Sequence, residues 1–181
     1  MKLTLFIAIC VFASTVGMAQ NKYGSKTGTI NFEASVPSFE EVKAVNENVS
    51  AILNTDNGEF VSLALVKGFR FKVALMEEHF NENYIESSKF PKAIFKGKLQ
   101  DFVFSEVSKT VSEYILKGTI TIHGLTEPFE TSVKIKKINE TIELQTEFKL
   151  EPEKFNIKIP KIVSNKIANE VFVKAIFSLS I

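Results

Sequence analysis

At 181 residues the chain is long enough for one domain with a substantial core. Its 22 basic against 21 acidic side chains give a formal net charge of +1, which excludes the broad basic surface of a nucleic-acid binder. A single cysteine, Cys10, excludes a disulfide framework, and 17 phenylalanines with no tryptophan place burial on a ring that has no polar handle.

The first segment reads as a secretory signal peptide over residues 1–19. Lys2 precedes an apolar run from Leu3 to about Phe12, and small residues lead to Gly17-Met18-Ala19. Cleavage after Ala19 leaves Gln20 at the new terminus and one domain over residues 20–181. A transmembrane anchor needs roughly 20 apolar residues, and this run is shorter, ending in Ser14, Thr15 and Gly17. Ile9 is not the small residue that a lipidated Cys10 requires before it. The expected location is therefore periplasmic or secreted, with no integral membrane span. Loss of the leader removes Lys2, Cys10, Phe6 and Phe12. The mature chain then holds 21 basic and 21 acidic residues, no thiol and 15 phenylalanines. So many phenylalanines point to a large core, an apolar cavity or both.

The mature chain alternates with a period of two, the mark of half-buried strands. Ile30, Phe32, Ala34 and Val36 alternate with polar residues, and Val49, Ala51 and Leu53 do so before the turn Asp56-Asn57-Gly58. The next strand carries Val61, Leu63 and Leu65 and runs through Gly68, a bulge or bend, to Phe69 and Phe71. Leu75, Met76, His79, Phe80 and Tyr84 break the period with helical spacing, Glu77, Glu78, Asn81 and Glu82 falling on the other side. This predicts a short amphipathic helix over Leu75–Tyr84, a lid or plug at one end of the fold. Strands resume with Ala93, Phe95, Gly97 and Leu99, then Tyr114, Leu116, Gly118, Ile120 and Ile122. Phe129 to Ile135, Ile142 to Leu150 and Val171 to Ile181 follow. In the last, Phe172 and Ile176 make the outer face partly apolar, which suits cover on both sides or a partner such as a second copy in a homodimer. Around eight strands with short turns suggest a closed barrel or a sandwich.

Two stretches carry a family resemblance. The run from Leu75 through Glu78-His79-Phe80-Asn81 to Ser87, followed by Lys89-Phe90-Pro91-Lys92-Ala93-Ile94-Phe95, resembles the YceI-family signature in its Bacteroidetes form. Gly118-Thr119-Ile120-Thr121-Ile122-His123-Gly124-Leu125-Thr126-Glu127-Pro128 is similar to the family's strand and turn "G-x-L-T-I-x-G-V-T-x-P". One departure is plain: where many members have an arginine and a "D-F-G-I"-like run, this chain has Leu150-Glu151-Pro152-Glu153-Lys154-Phe155-Asn156-Ile157, without the arginine or the glycine. The resemblance implies an all-β fold, an eight-stranded antiparallel lipocalin-like barrel with one short helix near one end. It also implies a long apolar cavity that in some members holds a polyisoprenoid.

The expected function is that of an exported binder or carrier of an apolar, isoprenoid-like lipid. The candidate wall is Phe32, Leu63, Leu65, Phe69, Phe71, Phe95, Leu116, Ile120 and Ile122, with Leu75, His79, Phe80 and Tyr84 on the helix. An inward face looks the same filled or hollow, so the alternative is a structural or interaction domain with a filled core. His79 reads either as a half-buried histidine bonded to a carbonyl or to Tyr84, or as a headgroup contact at the cavity mouth; His123 reads as structural or solvent-exposed. Two histidines without a cysteine make a metal site or a cofactor unexpected. No Gly-x-Ser-x-Gly elbow, phosphate loop or His-Glu-x-x-His motif is present, so no enzymatic activity is expected.

Overall fold

The structure, a computed structural model, describes residues 21–181 apart from Ser38, Ile162, Ser164 and Asn165. The predicted leader, with Cys10 and the cleavage point at Ala19, lies outside the described residues.

The alternating sequence forms long antiparallel strands: β1 (Lys22–Ser35), β2 (Lys43–Asn54), β3 (Glu59–Leu65), the two-residue β4 (Arg70–Phe71), β5 (Lys92–Leu99), β6 (Ser112–Ile122), β7 (Leu125–Ile138), β8 (Thr141–Leu150) and β9 (Ile167–Leu179). Each long strand pairs with its neighbour in the order β1-β9-β8-β7-β6-β5-β3-β2, and β1 pairs again with β2. Eight strands thus close into a barrel, while β4 adds to the end of β2 through Ala44 and Phe71. Closure leaves no exposed sheet edge among these eight strands.

Local signals fix the register. The hairpin between β2 and β3 turns where Asp56-Asn57-Gly58 stands, with Gly58 at φ 74° and its N–H donating to the Asn54 carbonyl. The β6–β7 hairpin is a two-residue turn of His123 and Gly124, at φ 50° and 75°, the paired left-handed geometry that matches strand twist. Irregular register in β1 between Ser25 and Ile30 changes the phase of the strand. Tyr23 and Ala34, of opposite parity, are therefore both buried. Gly68 sits in a tight turn, Val66–Gly68, that separates β3 from Phe69.

The helix forms in two parts. α1 (Ala74–His79) is regular, and Phe80–Tyr84 continues it as a wider turn in which the Ile85 N–H donates to the Phe80 carbonyl, five residues back. Glu77 holds this element to the barrel: one carboxylate oxygen accepts from Arg70 at 2.7 Å and the other from the Phe71 N–H at 3.1 Å. Asn81 donates to the Glu77 carbonyl. Glu77 and Asn81 are thus half-buried fastenings, whereas Glu78 and Glu82 are exposed to solvent.

The barrel interior is uneven. At the end carrying the β2–β3 hairpin, Leu53, Leu99, Ile135, Ile142, Leu144 and Leu179 are at most 1% exposed. The connection between β5 and β6 covers this end, placing Phe104 against Tyr23 and Phe102 against Tyr114, with ring centroids 5.7 and 5.4 Å apart. Burial, reinforced by Glu106, pushes the Tyr114 phenol above its ordinary range.

β5 and β6 approach unusually closely where Gly97 faces Gly118. A Cβ at Gly118 would overlap the Lys96 carbonyl and the Gly97 Cα, both backbone atoms. Gly118→Ala is expected to lower the unfolding free energy by about 1–3 kcal/mol. Gly24→Ala, where the nearest atom to an added Cβ is the Ala51 carbonyl oxygen at 3.5 Å, should change it by less than about 0.5 kcal/mol. Urea unfolding of the two variants checks the difference, and equal effects would contradict the close approach.

Candidate functional site

Inward side chains on the other half of the barrel are small at many positions. Ala34, Ser62, Ala64, Ala93 and Ala175 line a cavity of about 500 Å³. Its remaining wall is mostly aromatic and aliphatic. The phenylalanines are set against one another. Phe32 packs on Phe69, Phe71 and Phe80 with centroids 5.2 to 5.6 Å apart, joining β1, β4 and the helix. Phe95 meets Phe129, and Phe129 meets Phe148 at 4.8 Å. Such pairing holds the rings against the wall.

Polar groups in the wall are few. The Thr131 and Thr146 hydroxyls hydrogen-bond each other at 3.0 Å, and Thr146 donates to the Ser132 carbonyl at 2.8 Å. Of the lining residues, only Phe39, Glu40, His79 and Lys166 are exposed, and they mark the mouth. The rim is built from the β1–β2 connection, α1 and the β8–β9 connection. The last supplies Ile157, Ile159 and Val163 to the wall.

Ten of the thirteen predicted wall residues meet here: Phe32, Phe69, Phe71, His79, Phe80 and Tyr84, with Phe95, Leu116, Ile120 and Ile122 from β5 and β6. Leu63 and Leu65 do not, and Leu65 is 53% exposed. The hairpin register pairs inward Leu53 with Phe60 and Ala51 with Ser62, so the inward face of β3 is Phe60, Ser62 and Ala64. Leu75 is 57% exposed at the start of α1, where Met76 turns inward instead. The wall also includes Phe60, Phe129, Phe148, Phe155 and Ile85, which the candidate set lacked. The apolar faces of the Phe129 and Phe148 strands were visible in the alternation. Ile85 became inward only through the wide turn after α1.

The histidines occupy contrasting places. His79 is exposed at the mouth, with no hydrogen bond to Tyr84 or a carbonyl among the described contacts, so the half-buried reading of it does not hold. His123 is buried and structural. Its Nδ1–H donates to the Phe155 carbonyl at 2.9 Å, and Nε2 meets a Glu86 carboxylate oxygen at 2.8 Å. The Phe90 ring packs edge-on at 4.4 Å. This clasp joins the β6–β7 turn, the segment after the helix and the β8–β9 connection, three pieces of the cavity's end. Among the described residues, no three His, Asp or Glu side chains gather as metal ligands. No helix among them is long and apolar enough to cross a membrane.

The sequence matches the YceI-like domain over residues 13–179. No curated protein matches it. Among solved structures, a polyisoprenoid binding domain from Saccharophagus degradans implicated in plant cell wall breakdown superposes with a TM-score of 0.78 at 12% identity, over 89% of this chain and 98% of that one. BcnA of Burkholderia cenocepacia gives 0.70 at 14% identity, over 85% and 96%. The YCEI protein of Campylobacter jejuni gives 0.64 at 12%, over 81% and 88%. At these identities the likeness is one of fold.

Replacing His123 with Asn keeps a residue that tolerates the left-handed turn but cannot span both partners. His123→Asn is expected to cost about 2–3 kcal/mol and to speed hydrogen exchange at the Ile85 and Ser87 amides relative to those of β7. Unchanged exchange at those amides would contradict the clasp.

Proposed function

This chain belongs to the YceI-like domain family, and from that premise we propose that it is an exported binder or carrier of one apolar long-chain lipid, polyisoprenoid-like, held in the hollow half of the barrel. The observation that carries this reading is the cavity itself: about 500 Å³, walled mostly by apolar side chains, with the Thr131 and Thr146 hydroxyls hydrogen-bonded to each other. Each methylene moved from water into such a space gains about 0.8 kcal/mol, so a long chain acquires affinity without a polar anchor. The structurally similar domain of Saccharophagus degradans is a polyisoprenoid binding domain, which supports an isoprenoid as the ligand class. The basic start, apolar run and small residues of positions 1–19 support export to a periplasmic or secreted location. The reading includes no catalytic step. Among the described residues neither histidine hydrogen-bonds a hydroxyl, and both ring nitrogens of His123 are engaged in the clasp. Phe172 and Ile176, 43% and 37% exposed on β9, support contact with a second copy.

Two variants on neighbouring positions of β3 test the binding reading. Ala64 faces the cavity and Leu65 faces out. With a long-chain polyprenol as probe, Ala64→Phe is expected to weaken uptake by at least about tenfold, the equivalent of 1.4 kcal/mol. Leu65→Ser should leave it unchanged. Thermal melting confirms that both variants fold. Equal uptake by folded Ala64→Phe would contradict a ligand in this cavity.

A further inference from the structure

Resting on the carrier reading, we infer that the cavity rim is a docking face for an anionic lipid bilayer, with Lys158, Lys161 and Lys166 meeting the headgroups and Phe39 entering the interface. A hydrocarbon chain crossing open water loses its favourable burial on the way. The mouth of a carrier must therefore lie against the source of its lipid.

The β8–β9 connection has the composition for that contact. From Lys154 to Asn169 the chain carries four lysines and no acidic residue. Lys154 is paired with Glu151 at 2.8 Å, below the rim. The other three alternate with apolar residues. Ile157, Ile159 and Val163 turn into the cavity wall, while Lys158, Lys161 and Lys166 are exposed. Lys166 stands over the Phe39 ring, its Nζ 6.0 Å from the centroid, so the basic loop and the exposed aromatic form one patch. Phe39 is 43% exposed, a large cost in water and a common anchor at a lipid interface.

The opposing charges are placed elsewhere on the rim. Glu78 and Glu82 are exposed on the helical element, and Glu41 is held by Lys43 at 3.0 Å. Glu40, next to Phe39 in the chain, is the acidic residue among those lining the mouth. An anionic surface therefore meets the side built from the β8–β9 connection and is repelled from the helix side. The barrel docks tilted, mouth inward, by the same electrostatics that draw clustered lysines to acidic leaflets.

Flotation of the mature protein with vesicles tests this. Phosphatidylcholine alone is compared with phosphatidylcholine containing phosphatidylglycerol, in dilute and in concentrated salt. Wild-type protein is expected to float with the anionic vesicles and to be released by salt. Lys158→Glu and Lys161→Glu together should weaken binding by more than about tenfold, and adding Phe39→Ser should weaken it further. Reversal of Lys22, Lys98 and Lys109, exposed near the filled end, should have no effect. Polyprenol uptake from detergent micelles is measured in parallel and should be equal for wild type, the Lys158→Glu and Lys161→Glu double variant and the filled-end triple variant, none of which alters a cavity-lining residue. Failure of that uptake with rim-dependent flotation intact would remove the carrier reading and still support docking. No preference for anionic vesicles, or equal loss on reversing lysines at either end, would overturn the docking face. A rim variant that floats like wild type would overturn it as well.

Discussion

β1 hydrogen-bonds β2 along one side and β9 along the other, and this double pairing closes the sheet. Once the sheet is closed, every alternating strand must send one face into a space of fixed width. An eight-stranded barrel is just wide enough for its inward side chains to meet at the centre. Whether the interior is solid or hollow then depends on side-chain size at each level along the barrel axis. Leucine and isoleucine occupy the inward positions at one end, and the β5–β6 connection adds Phe102 and Phe104 over them. Alanine, serine and threonine occupy many of those positions at the other end. Large rings remain there, but they lean on each other along the wall. Filled core and hollow cavity are therefore both present, in series.

The hollow half has the harder structural problem, because a wall without a centre lacks contacts on one side. Two polar fastenings answer it. Glu77 ties the helix to Arg70 and to the Phe71 amide, and His123 ties the segment after the helix to the β8–β9 connection. The left-handed conformation of His123 belongs to the tight β6–β7 turn. The same turn thus closes a hairpin and carries the clasp. Asn156, standing where the family pattern has glycine, also adopts a left-handed conformation, at φ 55°. Asparagine is among the few residues that tolerate it, so the departure preserves the local backbone. The arginine of that pattern has no counterpart here, and the cations near the mouth come from the following loop.

Much of the barrel was legible because alternation reports burial on one face directly. Ten wall residues could be placed that way, or by helical spacing. Leu63 and Leu65 could not, since Val61, Leu63 and Leu65 are bulkier than Ser62 and Ala64, and hydrophobicity alone selects the wrong parity. Register decides it: with Leu53 inward, its partner Phe60 must also face inward. The first eight residues of β1 were illegible for a different reason. Lys22 to Thr29 is polar and glycine-rich, and it is held in the sheet by pairing with β2. The sequence after Phe155 lacks a clear period, yet Ile157, Ile159, Val163 and Ile167 complete the cavity wall. Leu75 shows the limit of helical spacing. The register of α1 is set by Glu77 binding Arg70 and Phe71, which rotates Met76 inward and Leu75 to solvent.

The most direct measurement is native mass spectrometry of the protein purified without detergent from its own cells. A barrel hollow in one half predicts a single bound mass, in one-to-one ratio, that organic extraction identifies as a long-chain isoprenoid or related lipid. Protein that carries no such mass, and takes up none when long-chain lipid is added, would contradict a binding cavity and leave the barrel a structural domain.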